Sequence, residues 1–202
     1  MEDSSEIEKL RKAIDEVDAS LLALMNKRAY LAKQIGLAKK DQSESSVMYR
    51  PDREAYVIRE ILKKNEGPLS ELSITAIFKD IISSCRSLEA NIRVAYLGPL
   101  GSYTESAMVK HFGDFIEKKS CSDISSVFKE LGLNNVDYGI VPIENSSGGS
   151  VTESLDSLVN NSADIIGEVY LTINHQFLSL ENSLDNIETV FAHQQSLTQC
   201  RL

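Results

Sequence analysis

The sequence predicts two domains of different class: an all-helical one over residues 1–91 and an α/β one over residues 92–202. Three observations carry that division. Before residue 92 the apolar residues recur at steps of three and four, the period of a helix. After it, short apolar runs alternate with helical segments, the pattern of an α/β layer. The charge changes in the same region: residues 1–90 carry 15 Lys/Arg against 16 Asp/Glu, and residues 91–202 carry 6 against 14.

The first helix is written by Ile7, Leu10, Ile14, Val17, Leu21, Leu24, Leu31, Ile35 and Ala38, a heptad-like seam of more than four heptads. It is expected to run about 50 Å at ~1.5 Å per residue. Ser residues and then Pro51 break the pattern in DQSESSVMYRP (41–51). A second helix is expected from Asp52 to about Lys64, with acidic residues in its first turn, and NEGP (65–68) ends it. A third is expected from about Ser70 to Ala90, burying Leu72, Ile74, Ile77, Phe78, Ile81, Ile82 and Leu88. Two short helices cannot cover so long a seam, and a second copy of the chain is the simplest cover for the rest.

Beyond residue 92, RVAYLG (93–98) reads as a buried strand leading into a Gly-Pro-Leu-Gly turn. Helices are expected over 102–112, 122–131, where Ser and Asp supply the cap, and 150–159. YGIVPIE (138–144) and IETVFAH (187–193) read as strands, 165–180 as mostly extended, and QQSLTQCRL as the start of a helix.

Composition excludes several functions. The net charge of −9 leaves no basic surface to neutralise nucleic-acid phosphates, so any anion site must be a local cluster of cations. No apolar run approaches the ~20 residues of a membrane span, and the polar start lacks a secretory core. Cys85, Cys121 and Cys200 form no CxxC pair, which fits a reducing cytosol, so a cytoplasmic location is expected. His111, His175 and His193 show no metal-ligand spacing, and no metal or cofactor is expected.

The cations of the first helix are more telling. Arg28 stands where the seam should bury an apolar side chain. A buried arginine needs an anionic partner, or desolvation costs several kcal/mol. Lys39 lies eleven residues on, about three turns, so the two share a face ~16 Å apart and can grip a small dianion between them. Arg11 is seventeen residues before Arg28, or ~25 Å, and reaches such a ligand only in an antiparallel partner. Solvated snorkelling explains Arg11 or Lys39 taken singly. An internal carboxylate, Glu54 or Glu89, is the alternative partner for Arg28.

The pattern LRKAIDEVDASLLALMNKRAYLAKQIGLAK, then YRPDRE, then IFKDIISSCRSLE resembles the all-helical chorismate mutases over nearly all of residues 5–90. It resembles in particular the first part of the bifunctional chorismate mutase–prephenate dehydratases of phenylalanine biosynthesis. The resemblance implies a three-helix chain in an intertwined homodimer with two shared active sites, turning chorismate into prephenate without a cofactor. That pericyclic shift needs a dicarboxylate held in a compact chair and charge stabilised as the ether bond breaks. By resemblance, Arg28 and the Arg11 of the second subunit bind the carboxylates, and Lys39 bonds a carboxylate and the ether oxygen. Arg53 and Glu54 organise the pocket, Glu54 taking the substrate hydroxyl.

Some members carry Gln where this chain has Glu89, and an acidic residue near its Arg50. Cys85, one turn before Glu89, stands where a small hydroxyl residue can occur. An amide donates to the ether oxygen at any pH, a carboxyl only when protonated. Glu89 is therefore expected to work in its protonated form, with mutase activity falling as pH rises. The alternative is that Glu89 is the ionised partner of a buried arginine.

AYLGPLGSYTESA, YGIVPIENSSGGSVTESLD and FAHQQSLTQCR resemble the prephenate dehydratase domain, which has a periplasmic-binding-protein-like α/β fold. By resemblance Thr104, Glu144, Asn145, Ser146 and Ser150 lie near the prephenate cleft, with His193 and Gln195 as weaker candidates. The NSSGGS turn (145–150) has N–H groups and hydroxyls suited to a carboxylate, though a plain helix cap also explains it. The family's later Thr-Arg-Phe motif and phenylalanine-binding regulatory domain are not found, so the second domain is expected to be truncated, without dehydratase activity or feedback inhibition. Two alternatives stand beside the mutase: a non-catalytic helical dimerisation module, and a small-anion binding protein using residues 98–104 and 144–150.

Overall fold

The computed structural model describes residues 2–41, 49–145, 148–192, 196–197 and 200. The chain divides into two compact units, Met1–Arg93 with Phe112–Glu117, and Val94–His111 with Lys118–Leu202.

The first unit is helical. The long seam folds as α1 (Glu2–Asp41), a 40-residue helix. Pro51, whose missing N–H costs nothing at a helix start, opens α2 (Pro51–Leu62), and Asp52 and Glu54 favour its positive end. Ser70 caps α3 (Glu71–Ser87), its hydroxyl accepting from Ser73 N at 3.1 Å. Both α1 and α2 pack on α3.

The packing departs from the expected seam. On α1 it is Ala32 and Gly36 that are buried, while Ile14, Val17, Leu24 and Leu31 remain more than half exposed. Small residues let the α1 backbone approach α3: a Cβ on Gly36 would stand 3.1 Å from Glu89 Cα. The large residues of the seam point elsewhere. On α3, Ile74 and Ile82 are buried as expected, and Phe78 and Ile81 partly so. Leu72, Ile77 and Leu88 are exposed, because the buried stripe turns toward Ser83, Cys85 and Arg86.

The second unit is α/β. Its sheet has the order β2 (Glu117–Cys121), β1 (Arg93–Leu97), β3 (Tyr138–Ile140). The pair β1 and β3 is parallel, with Ala95 opposite Gly139. Central β1 is buried at Val94, Ala95 and Tyr96, as a strand flanked on both sides must be. The charged strand β2 (EKKSC) escapes a hydrophobicity reading because only Cys121 is buried. Helix α4 (Tyr103–Phe112) begins with a reciprocal cap. Ser102 Oγ accepts from Glu105 N at 3.2 Å, and the Glu105 carboxylate accepts from Gly101 N at 2.6 Å. Asp123 caps α5 (Ile124–Gly132) through Ser126 N at 2.7 Å. Helix α5 packs on β3 and on α6 (Thr152–Asn160), and Ala95, Cys121, Val127 and Val136 form the core between sheet and helix. Burying Val127 completely contributes roughly 1.5–3 kcal/mol.

Two strand expectations are corrected. Pro142 cannot donate to a ladder, so the predicted 138–144 strand stops at Ile140 and resumes as β4 (Glu144–Asn145), paired with β5 (Gly149–Ser150) in an antiparallel hairpin. Residues 165–180 and the described part of 187–193 lie in no sheet. A strand needs a neighbour's backbone groups, and this segment finds none among the described residues; one 3-10 turn, Leu184–Asn186, interrupts it. Of the last predicted helix, only 196–197 and 200 are described, with Cys200 N bonded to Ser196 O at 3.1 Å.

Candidate active site

Helix α3 gathers the predicted mutase residues. Lys39, near the end of α1, extends Nζ to Glu89 Oε2 at 3.3 Å, just past the end of α3. Gly36, one turn before Lys39, makes this reach possible by admitting Glu89 against the helix backbone. The partner of Glu89 is thus a lysine, not the arginine of the alternative reading. Arg28 is half-buried, and its Nη1 donates to Ile81 O of α3 at 3.4 Å. Cys85, one turn before Glu89, is buried.

Glu54 projects from α2 onto the same helix, where Arg86 Nη1 donates to its Oε1. Burial pushes the Glu54 carboxyl above its ordinary range, opposed by the cations Arg86, Arg28 and Lys79. Burial outweighs the ion pair here, in which Arg86 is enclosed and Glu54 is partly buried. Arg86 is almost fully enclosed; its Nη2 donates to Phe112 O, and its guanidinium lies 4.9 Å from the Tyr49 ring centroid. Removing either member of such a pair strands a buried charge, at a cost of about 3–5 kcal/mol.

The remaining candidates stand apart from this cluster. Arg53 is exposed, with its guanidinium 5.2 Å from the centroid of Tyr56 on its own helix. Arg50 pairs with Asp52 at the surface, Nη2 to Oδ2 3.1 Å. Arg11 is exposed and meets only Glu8, at 3.6 Å, among the described residues. That contact contributes little, since both side chains are solvated.

In the second unit, hairpin pairing sets Glu144 opposite Ser150 and Asn145 opposite Gly149. Asn145 Oδ1 accepts from Gly148 N, closing the turn, and Gly149 takes a positive φ of 68°, which favours glycine. Ser154 Oγ donates to Pro142 O at 2.6 Å and ties α6 to the strand before the hairpin. Thr104 sits on the first turn of α4, and no hydrogen bond joins it to the hairpin among the described residues. Ser146, His193 and Gln195 lie outside the described residues. Among the described residues no group of His, Cys, Asp or Glu is placed to hold a metal ion, and no helix is long and apolar enough to cross a membrane.

Sequence reasoning missed Arg86 and Gly36. Gly36 carried a signal, a lone glycine inside a strong helical pattern, which marks close approach. Arg86 carried none, because it follows Cys85 in a stretch that reads as partly polar.

Known families match both regions of the chain. The chorismate mutase type II family matches residues 10–90, and the prephenate dehydratase family matches residues 94–202. A bifunctional chorismate mutase/prephenate dehydratase of Pseudomonas aeruginosa is 40% identical over 205 residues, covering 100% of this chain and 56% of the relative. The Aquifex aeolicus protein of the same name is 38% identical over 200 residues, covering 97% and 55%. That of Escherichia coli K12 is 34% identical over 214 residues, covering 95% and 54%. The chain spans about half the length of these relatives. It belongs to the prephenate dehydratase family, and the region ahead of its dehydratase match is similar to the chorismate mutase type II family.

Proposed function

We propose that the helical unit is a chorismate mutase, rearranging chorismate to prephenate, and that it works as an intertwined homodimer with composite sites. Residues 1–91 form the mutase domain. Residues 92–202 form the dehydratase portion, with a periplasmic-binding-protein-like layout, and Thr104, Glu144, Asn145, Ser146 and Ser150 face prephenate. No cofactor takes part.

The observation that carries the mutase reading is the convergence on α3 of Arg28, Lys39, Glu54 and Glu89, two cations and two carboxylates from distant positions. A unimolecular shift needs no nucleophile, only a rigid cradle of complementary charge. Arg28 and Lys39 supply the cationic side of the cradle. Glu54 takes the substrate hydroxyl. Lys39 leaves Glu89 in part to meet a substrate carboxylate and the ether oxygen, and Glu89, once protonated, donates to that oxygen as well. Arg53 and Cys85 line the rim and the floor.

The dimer reading is supported by the exposed seam of α1, where Leu10, Ile14, Val17 and Leu24 are each more than half exposed. An apolar stripe of that length is unusual on a free surface. A second copy covers it and carries its Arg11 to a site its own chain cannot reach. A helical dimerisation module without catalysis accounts for the seam but not for the cradle beside it.

The test is loss of chorismate with identification of prephenate as product, in wild type and Arg28→Ala. Turnover in the wild type and a loss of about a hundredfold or more in the variant are expected. A wild type without turnover removes the mutase reading.

A further inference from the structure

Arg86 has no place in the reaction as proposed, yet it is the most enclosed charged side chain among the described residues. Its guanidinium is held on three sides. Nη1 donates to Glu54 Oε1 on α2, Nη2 donates to the main-chain carbonyl of Phe112, and the Tyr49 ring covers one face. The same carbonyl accepts from Ser83 Oγ at 3.2 Å, and the Tyr49 and Phe112 rings stand 4.9 Å apart. Gly113 follows with φ 79°, and a Cβ there would strike the Ser83 side chain. The chain thus lies flat on α3 at this point only because residue 113 is glycine. Further on, Glu117 N donates to Ile92 O at 2.8 Å, closing the Phe112–Glu117 segment onto the helical unit.

We propose that Arg86 is a positioning residue for the mutase reaction, clamping the Glu54 carboxylate to the Phe112 carbonyl, so that Phe112–Glu117 is a working part of the mutase unit. The inference rests on the reading of Glu54 as the acceptor of the substrate hydroxyl. With Oε1 held by Arg86 and no second partner among the described residues, Oε2 is left to face substrate. A lysine cannot replace the clamp, since one ammonium lacks the planar fork that serves a carboxylate and a carbonyl together. The groups acting on Glu54 are Arg86 and Lys79 from α3 and Arg28 from α1, all cationic. Loss of Arg86 therefore makes the carboxylate easier to protonate.

The experiment measures kcat and KM for chorismate across pH in the full chain, for Arg86→Met, Arg86→Lys, Glu54→Gln and Arg86→Met/Glu54→Gln. Arg86→Met is expected to lower kcat/KM by about tenfold to a hundredfold, mostly in kcat. Its acid limb is expected to move up by about one pH unit. In the Glu54→Gln background the same substitution should change little, because the residue it positions is gone. Should Arg86→Met fail to fold, Arg86→Lys decides by its kcat, because it keeps the charge beside Glu54 and loses only the fork. Folded Arg86 variants with wild-type kcat/KM and an unmoved limb, or equal losses with and without Glu54, overturn the proposal while wild-type turnover leaves the mutase reading intact. A wild type without turnover removes that reading and this proposal with it.

Discussion

Lys39 and Glu89 face each other at 3.3 Å across the junction of α1 and the end of α3. Each is proposed to meet the breaking ether bond, so the pair must loosen when substrate enters. An amide at position 89 keeps an acceptor for Lys39 and adds a donor that does not titrate. Glu89→Gln is therefore expected to keep mutase activity, and Glu89→Ala, which removes the acceptor from Lys39, to lower kcat/KM about tenfold or more. Chorismate kinetics of the two variants check this, and equal activity in both contradicts it.

Gly36→Ala tests the geometry beneath that pair. Alanine has the higher helix propensity, worth ~1 kcal/mol, so α1 itself gains. The new methyl would stand 3.1 Å from the Cα and Cβ of Glu89, and backbone cannot swing aside as a side-chain tip can. The expected result is a mutase kcat/KM lowered about tenfold with an unfolding midpoint near that of the wild type. Unchanged kinetics would mean that Glu89 has no fixed place in the site.

The buried Glu54 carboxyl, raised above its ordinary range, gives a stability signature. A carboxyl raised on folding adds stability while it is protonated, below the unfolded value, and loses that contribution as pH rises through the folded value. Glu54→Gln has no proton to lose at this position. Thermal unfolding between mild acid and neutral pH should therefore show the wild type losing stability relative to Glu54→Gln. A wild type that gains on the variant as pH rises contradicts burial as the dominant influence.

Hydrogen exchange should separate the parts of the chain. Residues 162–183 make no ladder, and Ile165, Tyr170, Leu178 and Leu180 are largely exposed. Helix α3 buries Ile74, Ile82, Ser83, Cys85 and Arg86. Amides of 162–183 are expected to exchange far faster than those of 78–86. Equal protection in the two segments would contradict the open character of the former.

Much of the fold was legible because it is local. Periodicity gave the helices, Ser70 and Asp123 marked two starts, and Pro51 marked a third. The burial of α3 was less legible. Leu72, Ile77 and Leu88 look like core from composition, but which face turns inward depends on Arg86, whose partners lie 32 residues before and 26 after it. Strand β2 was invisible because its residues are mostly charged, and the 187–193 strand was overread because apolar content cannot supply a neighbour. In the site, Arg28 and Lys39 could be paired by helical spacing. The Lys39–Glu89 contact spans 50 positions and could be anticipated only through family resemblance.

The composite dimeric site admits one direct measurement. Arg11→Ala and Arg28→Ala are each expected to be inactive, since every site lacks one cation. In a one-to-one mixture refolded together, half of the dimers carry one of each chain, and one of their two sites is whole. About a quarter of wild-type mutase activity is expected to return. Heterodimers that form yet recover no activity, or an Arg11→Ala protein as active as the wild type, would contradict a site shared between subunits.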